Sequence, residues 1–228
     1  KVLIERPGKE KPIKKTFTRE EVKVKSVPYK GMVDDGIAYV RLTRFTRNCA
    51  SEVEEAILEL TDENEVKGLV LDLRGNPGGL LNESVSLCNL FIDKNQEVVS
   101  TKGKIKDWEK SYKTMKEPLD KELPLAVLIN QSSASASEIV SGTIQDLDRG
   151  VVLGKKSFGK GLVQQTRKLS YNSQLKVTVA KYYTPSGRCI QALDYTNKNE
   201  DGSVGKVPDS LKTAFKTRNG RTVYDGGG

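Results

Sequence analysis

The 228-residue chain has no histidine, three cysteines, few aromatic residues (6%) and no apolar run of membrane-spanning length. Each shortage removes a class of function. Without histidine, no Ser-His-Asp arrangement can be assembled within this polypeptide. Cys49, Cys88 and Cys189 form no CxxC pair, so the sequence offers no zinc site and implies no metal or other cofactor. An odd number of cysteines cannot all pair internally, and Cys88, inside an apolar helical pattern, reads as a buried small hydrophobe. Cysteine usage therefore does not decide the compartment. Scarce aromatics argue against stacking platforms for single-stranded nucleic acid. The net charge is +8, but the lysines are dispersed among Glu and Asp along the whole chain. That is a solvated basic surface rather than a nucleic-acid footprint. No integral membrane segment is expected, and no signal peptide opens the chain. The chain starts directly on strand-like residues 1–6 and stops on Gly226-Gly227-Gly228, so both ends read as cut.

What is present suffices for one large domain with a short appendage. Residues 1–30 alternate apolar with polar through Val2, Ile4, Phe17, Val22, Val24 and Val27, with a Pro7-Gly8 turn. This predicts an N-terminal appendage of exposed antiparallel strands. Residues 31–228 read as the core. Strands are expected at 36–42, 67–73, from 97, at 123–130 and at 150–154, the second, fourth and fifth buried. Helices are expected at 49–60, 80–91 and 135–147. Extended stretches follow at 162–169 and 175–183, then a polar, Gly-rich segment with one short helical stretch at 210–215. Buried strands alternating with helices predict an α/β fold with a largely parallel central sheet.

Three stretches carry chemistry. The cluster Ser132-Ser133-Ala134-Ser135-Ala136-Ser137-Glu138 lies between a buried strand and a helix, where sites collect in α/β sheets and where backbone N–H groups point outward. Ser135 is the candidate nucleophile and the Ala136 N–H a candidate oxyanion donor. Equally, Ser135 and Glu138 match the S-x-x-E capping box, in which Ser135 only caps a helix. A serine nucleophile needs a base, and Lys160 is the candidate, flanked by Gly159, Gly161 and apolar residues. Burial disfavours an ammonium, so a lysine in an apolar pocket can accept a proton. Gln164, four residues on, shares a face with Lys160 at either period and could orient the amine. Residues 154–160 also fit G-x-x-x-x-G-K. A P-loop needs Ser or Thr next and then a helix, whereas this chain has Gly161 and an extended segment. Finally, Asp72-Leu73-Arg74-Gly75-Asn76-Pro77-Gly78-Gly79 breaks a strand before a helix. The Gly78-Gly79 loop could supply a second oxyanion donor, or be a plain Pro-Gly turn.

Taken in order, residues 68–80, 133–139, 157–164 and 180–188 resemble the C-terminal processing peptidase (tail-specific protease) family, over roughly residues 20 to 228. The resemblance implies a Clp protease- or crotonase-like core of repeated ββα units and serine endopeptidase activity near protein C-termini. By position it implies a Ser-Lys dyad of Ser135 and Lys160, assisted by Gln164. It further implies an extended polypeptide as substrate and an address outside the cytoplasm, in the periplasm or cell envelope. A homo-oligomer or an adaptor protein are its candidate partners. Members often carry a PDZ module before the core, of which residues 2–6 would be the last strand. A non-catalytic binding protein retaining the fold is the alternative. Such a protein has no need to keep Ser135, Lys160 and Gln164 together. A crotonase-like acyl-CoA enzyme follows from fold analogy only and offers no role for Lys160.

Overall fold

The computed structural model describes residues 1–20 and 24–228; Val22 of the expected appendage lies outside them. The appendage contains a short antiparallel hairpin, β1 (Val2–Ile4) and β2 (Ile13–Lys15), almost wholly exposed. The core starts earlier than the sequence pattern suggested. Strand β3 (Tyr29–Asp34) already belongs to the central sheet, and buried Ser26 donates its N–H to Glu52 (2.7 Å) in the first helix.

From there the chain runs β4 (Ile37–Arg41), α1 (Cys49–Glu63), β5 (Gly68–Asp72), α2 (Leu81–Cys88), β6 (Glu97–Lys102), β7 (Lys110–Lys113), β8 (Leu125–Ile129), α3 (Ala136–Asp146) and β9 (Val151–Gly154). Then come β10 (Leu162–Lys168), β11 (Gln174–Tyr183), β12 (Leu193–Lys198), β13 (Val204–Lys206), β14 (Ala214–Lys216) and β15 (Thr222–Tyr224). The expected short helix near 210–215 is a single 3-10 turn, Asp209–Leu211. The central sheet has the order β3-β4-β5-β8-β9. Pairs β4–β5, β5–β8 and β8–β9 are parallel, and only β3 runs antiparallel. A second, antiparallel sheet has the order β10-β11-β6-β7.

The helices form where apolar residues recur at helical spacing. Cys49, Val53, Ala56, Ile57 and Leu60 of α1 are buried on one face, and α3 is buried over nearly all its length. The core joins these faces to Val40, Leu69, Leu71 and Val127 of the central sheet and to Val98, Val99 and Tyr182 of the second sheet. Strand β9 differs from its expectation. It is the sheet edge, and Val151 and Leu153 stay half exposed, so its apolar run reflects strand-forming residues rather than burial on both faces.

Two buried carboxylates brace this framework. Asp146, at the end of α3, holds Arg188 in a buried ion pair (2.9 Å) and accepts the N–H and hydroxyl of Ser186 (3.1 and 2.7 Å). Asp72, at the end of β5, accepts the Tyr39 hydroxyl (2.5 Å) and the Arg74 N–H (2.8 Å) and is clasped by the Arg74 guanidinium. Burial would raise the Asp72 carboxyl, but the hydrogen bonds from Arg74 and Tyr39 outweigh it and hold the group below its ordinary value.

Asp146→Ala leaves Arg188 buried without its partner, and denaturant titration should show a loss of about 3–5 kcal/mol. Asp72 is ionised more readily when folded, so its contribution is complete above the usual aspartate value of 3.8 and fades as pH falls through the lower folded value. Asp72→Asn should therefore lower Tm near neutrality and flatten its acid-side decline; parallel Tm–pH curves for parent and variant would contradict this.

Candidate active site

Three loops leave the C-terminal ends of the adjacent parallel strands β5, β8 and β9, the edge of an α/β sheet at which ligands bind. Hydrogen bonds tie the first to the second and the second to the third. In the first, Asn76 is fully buried, and its side chain donates to Leu42 O and accepts the Gly78 N–H (both 2.9 Å). The Asn76 carbonyl accepts the Ala134 N–H (3.0 Å) and the Ser137 hydroxyl (2.9 Å) from the second loop. Ser133, also fully buried, donates to Leu73 O (2.7 Å). The third loop joins the second through the Phe158 N–H on Ser133 O (2.9 Å).

These bonds sort the serine cluster. Ser133 and Ser137 are structural, and Ser132 is exposed. Ser135 is half-buried and is the N-cap residue of α3. The expected capping box between Ser135 and Glu138 is present, and in it the Ser135 N–H donates to Glu138 Oε2 (2.7 Å). Ser135 is also held at φ 57°, ψ −112°, outside the favoured regions for an L-residue. Such backbone costs on the order of 1–3 kcal/mol and persists only where its surroundings over-determine it.

Glu138 provides much of that constraint. It is 2% exposed. Besides Ser135, its carboxylate accepts the Lys160 N–H (2.9 Å), the Gly159 N–H (2.6 Å) and the Ser157 hydroxyl (2.7 Å). Burial pushes this carboxyl up, and the four donors pull against that. One side chain thus fixes both the serine turn and the lysine turn. The sequence reading found Glu138 only as a capping partner. Its second role needs the Ser157–Lys160 turn folded against α3, which no local pattern encodes.

Ser135, Lys160 and Gln164 line one cleft of about 320 Å³ together with Gly79, Leu80, Ala136, Ile139, Val163 and Tyr182. Lys160 is half-buried and Gln164 exposed, beside a register break between Val163 and Gln164. Among the described residues, no hydrogen bond joins the side chains of Ser135, Lys160 and Gln164: the three share the cleft without being engaged. Larger cavities of about 530 and 820 Å³ adjoin it, the first lined in part by Glu138 and Ser157 and the second by Leu162 and Gln164, but neither contains Ser135 or Lys160. Shared chemistry, not size, selects the smaller cleft.

The two loop glycines do different things. A Cβ on Gly78 would lie 2.5 Å from Ala134 O and 2.9 Å from Ser135 Cβ, so only glycine lets the loop touch the serine turn. Because the Gly78 N–H is bound to Asn76, it is not available to an oxyanion. Gly79, at φ 155°, packs against Phe45, where a Cβ would meet Phe45 O at 2.2 Å. Among the described residues its N–H and that of Ala136, the first residue of α3, have no protein acceptor. The cysteines are no rival nucleophiles. Burial, joined at Cys49 by Glu83, pushes the thiols of Cys49 and Cys88 up to about 12, and none of the three lines the cleft.

Comparison with known proteins gives a consistent picture. Residues 36–197 match Peptidase family S41. The chain is 42% identical over 198 residues to a carboxy-terminal-processing protease of Bartonella bacilliformis, covering 86% of this chain and 45% of that protein. It is 40% identical over 250 residues to a probable CtpA-like serine protease of Staphylococcus aureus, covering 98% of this chain and 49% of that protein. The chain thus spans about half the length of these relatives. Among solved structures it is similar to a photosystem II D1 C-terminal processing protease (36% identity, TM-score 0.62, covering 75% of this chain and 43% of that one). A putative S41 protease from Bacteroides fragilis shares the fold (17% identity, TM-score 0.64, covering 74% of this chain and 49% of that one). A fully described sheet edge with three interlocked loops, and a family match spanning those loops, lead to one conclusion: this chain belongs to Peptidase family S41.

Proposed function

We propose that the chain is the catalytic core of a serine endopeptidase that cuts polypeptides near their C-termini, with Ser135 as nucleophile, Lys160 as general base and Gln164 orienting the lysine amine. The observation that carries this reading is the convergence of Ser135, Lys160 and Gln164 on one cleft, with Ser135 held at a strained helix start. A binding protein of the same fold would have no use for that convergence.

In the reaction Lys160 takes the Ser135 Oγ proton as Oγ attacks the peptide carbonyl carbon. The oxyanion of the tetrahedral intermediate rests on the N–H groups of Ala136 and Gly79, helped by the positive end of α3. Protonated Lys160 then gives its proton to the departing amine, and the C–N bond breaks. Water, with Lys160 again as base, hydrolyses the ester to release acid and free serine. Side chains that share a cleft without a hydrogen bond in an unliganded enzyme commonly tighten once substrate is bound.

Strand β10, which follows directly on Lys160, lies at the edge of its sheet. An extended substrate can add to that edge by main-chain hydrogen bonds, which read any sequence; weak side-chain specificity follows. The family resemblance supports work outside the cytoplasm. No helix among the described residues is long and apolar enough to cross a membrane.

Cleavage of an unfolded protein, with fragments mapped by mass spectrometry, tests the reading. Ser135→Ala should reduce kcat/KM by at least about a thousandfold, and Lys160→Ala by about 10²–10⁴-fold. A Lys160→Ala variant that cuts at the parent rate would remove the lysine from the mechanism. Cuts spread evenly along the substrate would remove the C-terminal preference.

A further inference from the structure

Tyr182 is a buried residue that the proposed reaction does not use. It lies near the end of β11, a strand paired on both sides, to β10 and to β6 through the register Tyr182↔Thr101. Its own N–H donates to Gly161 O (3.0 Å), and its ring is 1% exposed within the core. Its hydroxyl donates to Lys160 O at 2.5 Å and approaches Ser135 O at 3.3 Å. A phenol carries one proton, so the Lys160 carbonyl takes the main bond and the Ser135 carbonyl the weaker arm of a three-centre contact.

Glu138 makes the complementary set. It accepts the N–H of Ser135 and the N–H of Lys160, while Tyr182 serves the C=O of each. The nucleophile and its base, 25 residues apart in the chain, therefore have both flanking peptide groups held by the same two side chains. Ser135 sits at positive φ, where the backbone relaxes unless its peptides are pinned on both sides. Resting on the reading of Ser135 and Lys160 as the catalytic pair, we infer that Tyr182 is a positioning residue, which with Glu138 forms a two-sided clamp that sets the spacing and orientation of the dyad. The tyrosine is suited to this because it stands on a doubly paired strand rather than on a loop. The core needs only its ring, which phenylalanine would supply equally.

The experiment is a kinetic comparison of Tyr182→Phe, Glu138→Gln and the double variant in the full chain, with Ser135→Ala and Lys160→Ala as controls. Turnover of an unfolded protein is measured alongside the labelling rate of Ser135 by a fluorophosphonate, which reports nucleophile activation without substrate docking. Tyr182→Phe should keep its fold and its KM within about twofold while kcat and the labelling rate both fall by about 10–100-fold, the loss expected when a reacting group is misplaced by about 1 Å. If the two side chains act as one clamp, the double variant should lose less than the product of the single losses.

Parent-like kcat and labelling in Tyr182→Phe would overturn the inference, as would fully multiplicative losses. A rise in KM with kcat unchanged would also overturn it, since that signals substrate binding rather than dyad geometry. Should Tyr182→Phe fail to fold, Glu138→Gln labelled at the parent rate overturns the clamp, and slowed labelling at unchanged KM supports it. The controls keep the two readings apart. Active Lys160→Ala removes the dyad itself, whereas an inactive Lys160→Ala beside a fully active Tyr182→Phe removes only the clamp.

Discussion

The buried Glu138 carboxylate is the constraint on which the rest of the site depends. A carboxyl group at 2% exposure is stabilised only by hydrogen-bond partners aimed at it, and this one has four, from Ser135, Ser157, Gly159 and Lys160. Three of the four are groups the chain must bring in from beyond β9. Satisfying the carboxyl group and bringing the loops of Ser135 and Lys160 together are therefore the same event. The turn that carries Lys160 cannot drift from the turn that carries Ser135 without leaving a buried carboxyl group short of partners, a costly defect in a fold.

A similar economy of contacts runs through the neighbouring loop. Asn76 closes its own turn with its side chain and, with its carbonyl, receives Ala134 and Ser137 from the serine cluster. Gly78 lets that loop approach to a distance no other residue allows. The parallel arrangement of β5, β8 and β9 makes this feasible, because it delivers three strand ends side by side on one edge. Helix α3 then starts there, and its first residue, Ala136, lines the cleft. The strain at Ser135 is thus supported by helix, loop and strand together rather than by one contact.

Much of this was legible beforehand. The apolar runs and helical spacings located β4, β5, β8 and all three helices, because burial on one or two faces leaves a periodic trace in the chain. The four ordered stretches around Asp72, Ser135, Lys160 and Tyr182 carried the family resemblance. Other features left no such trace. The exposure of β9 depends on which strand ends the sheet, and β12 to β15 pair through polar segments with little periodicity. The core boundary moved because Ser26 finds its partner, Glu52, at a distance of 26 residues.

The sequence by itself determined the candidate chemistry. A chain without histidine, with a serine at a helix start and a lysine between glycines, has few ways to activate a nucleophile. It did not determine which serine lines the cleft, which glycine N–H was available, or what holds the two halves together. Ser133 and Ser137 are withdrawn by Leu73 and Asn76, and the Gly78 N–H by Asn76. Glu138 and Tyr182 acquire their roles by spanning 22 residues each to Lys160. The physical reason is the range of the forces involved. Periodicity and turn chemistry act within a few residues, whereas hydrogen bonds at a site join whatever the folded backbone places within about 3 Å.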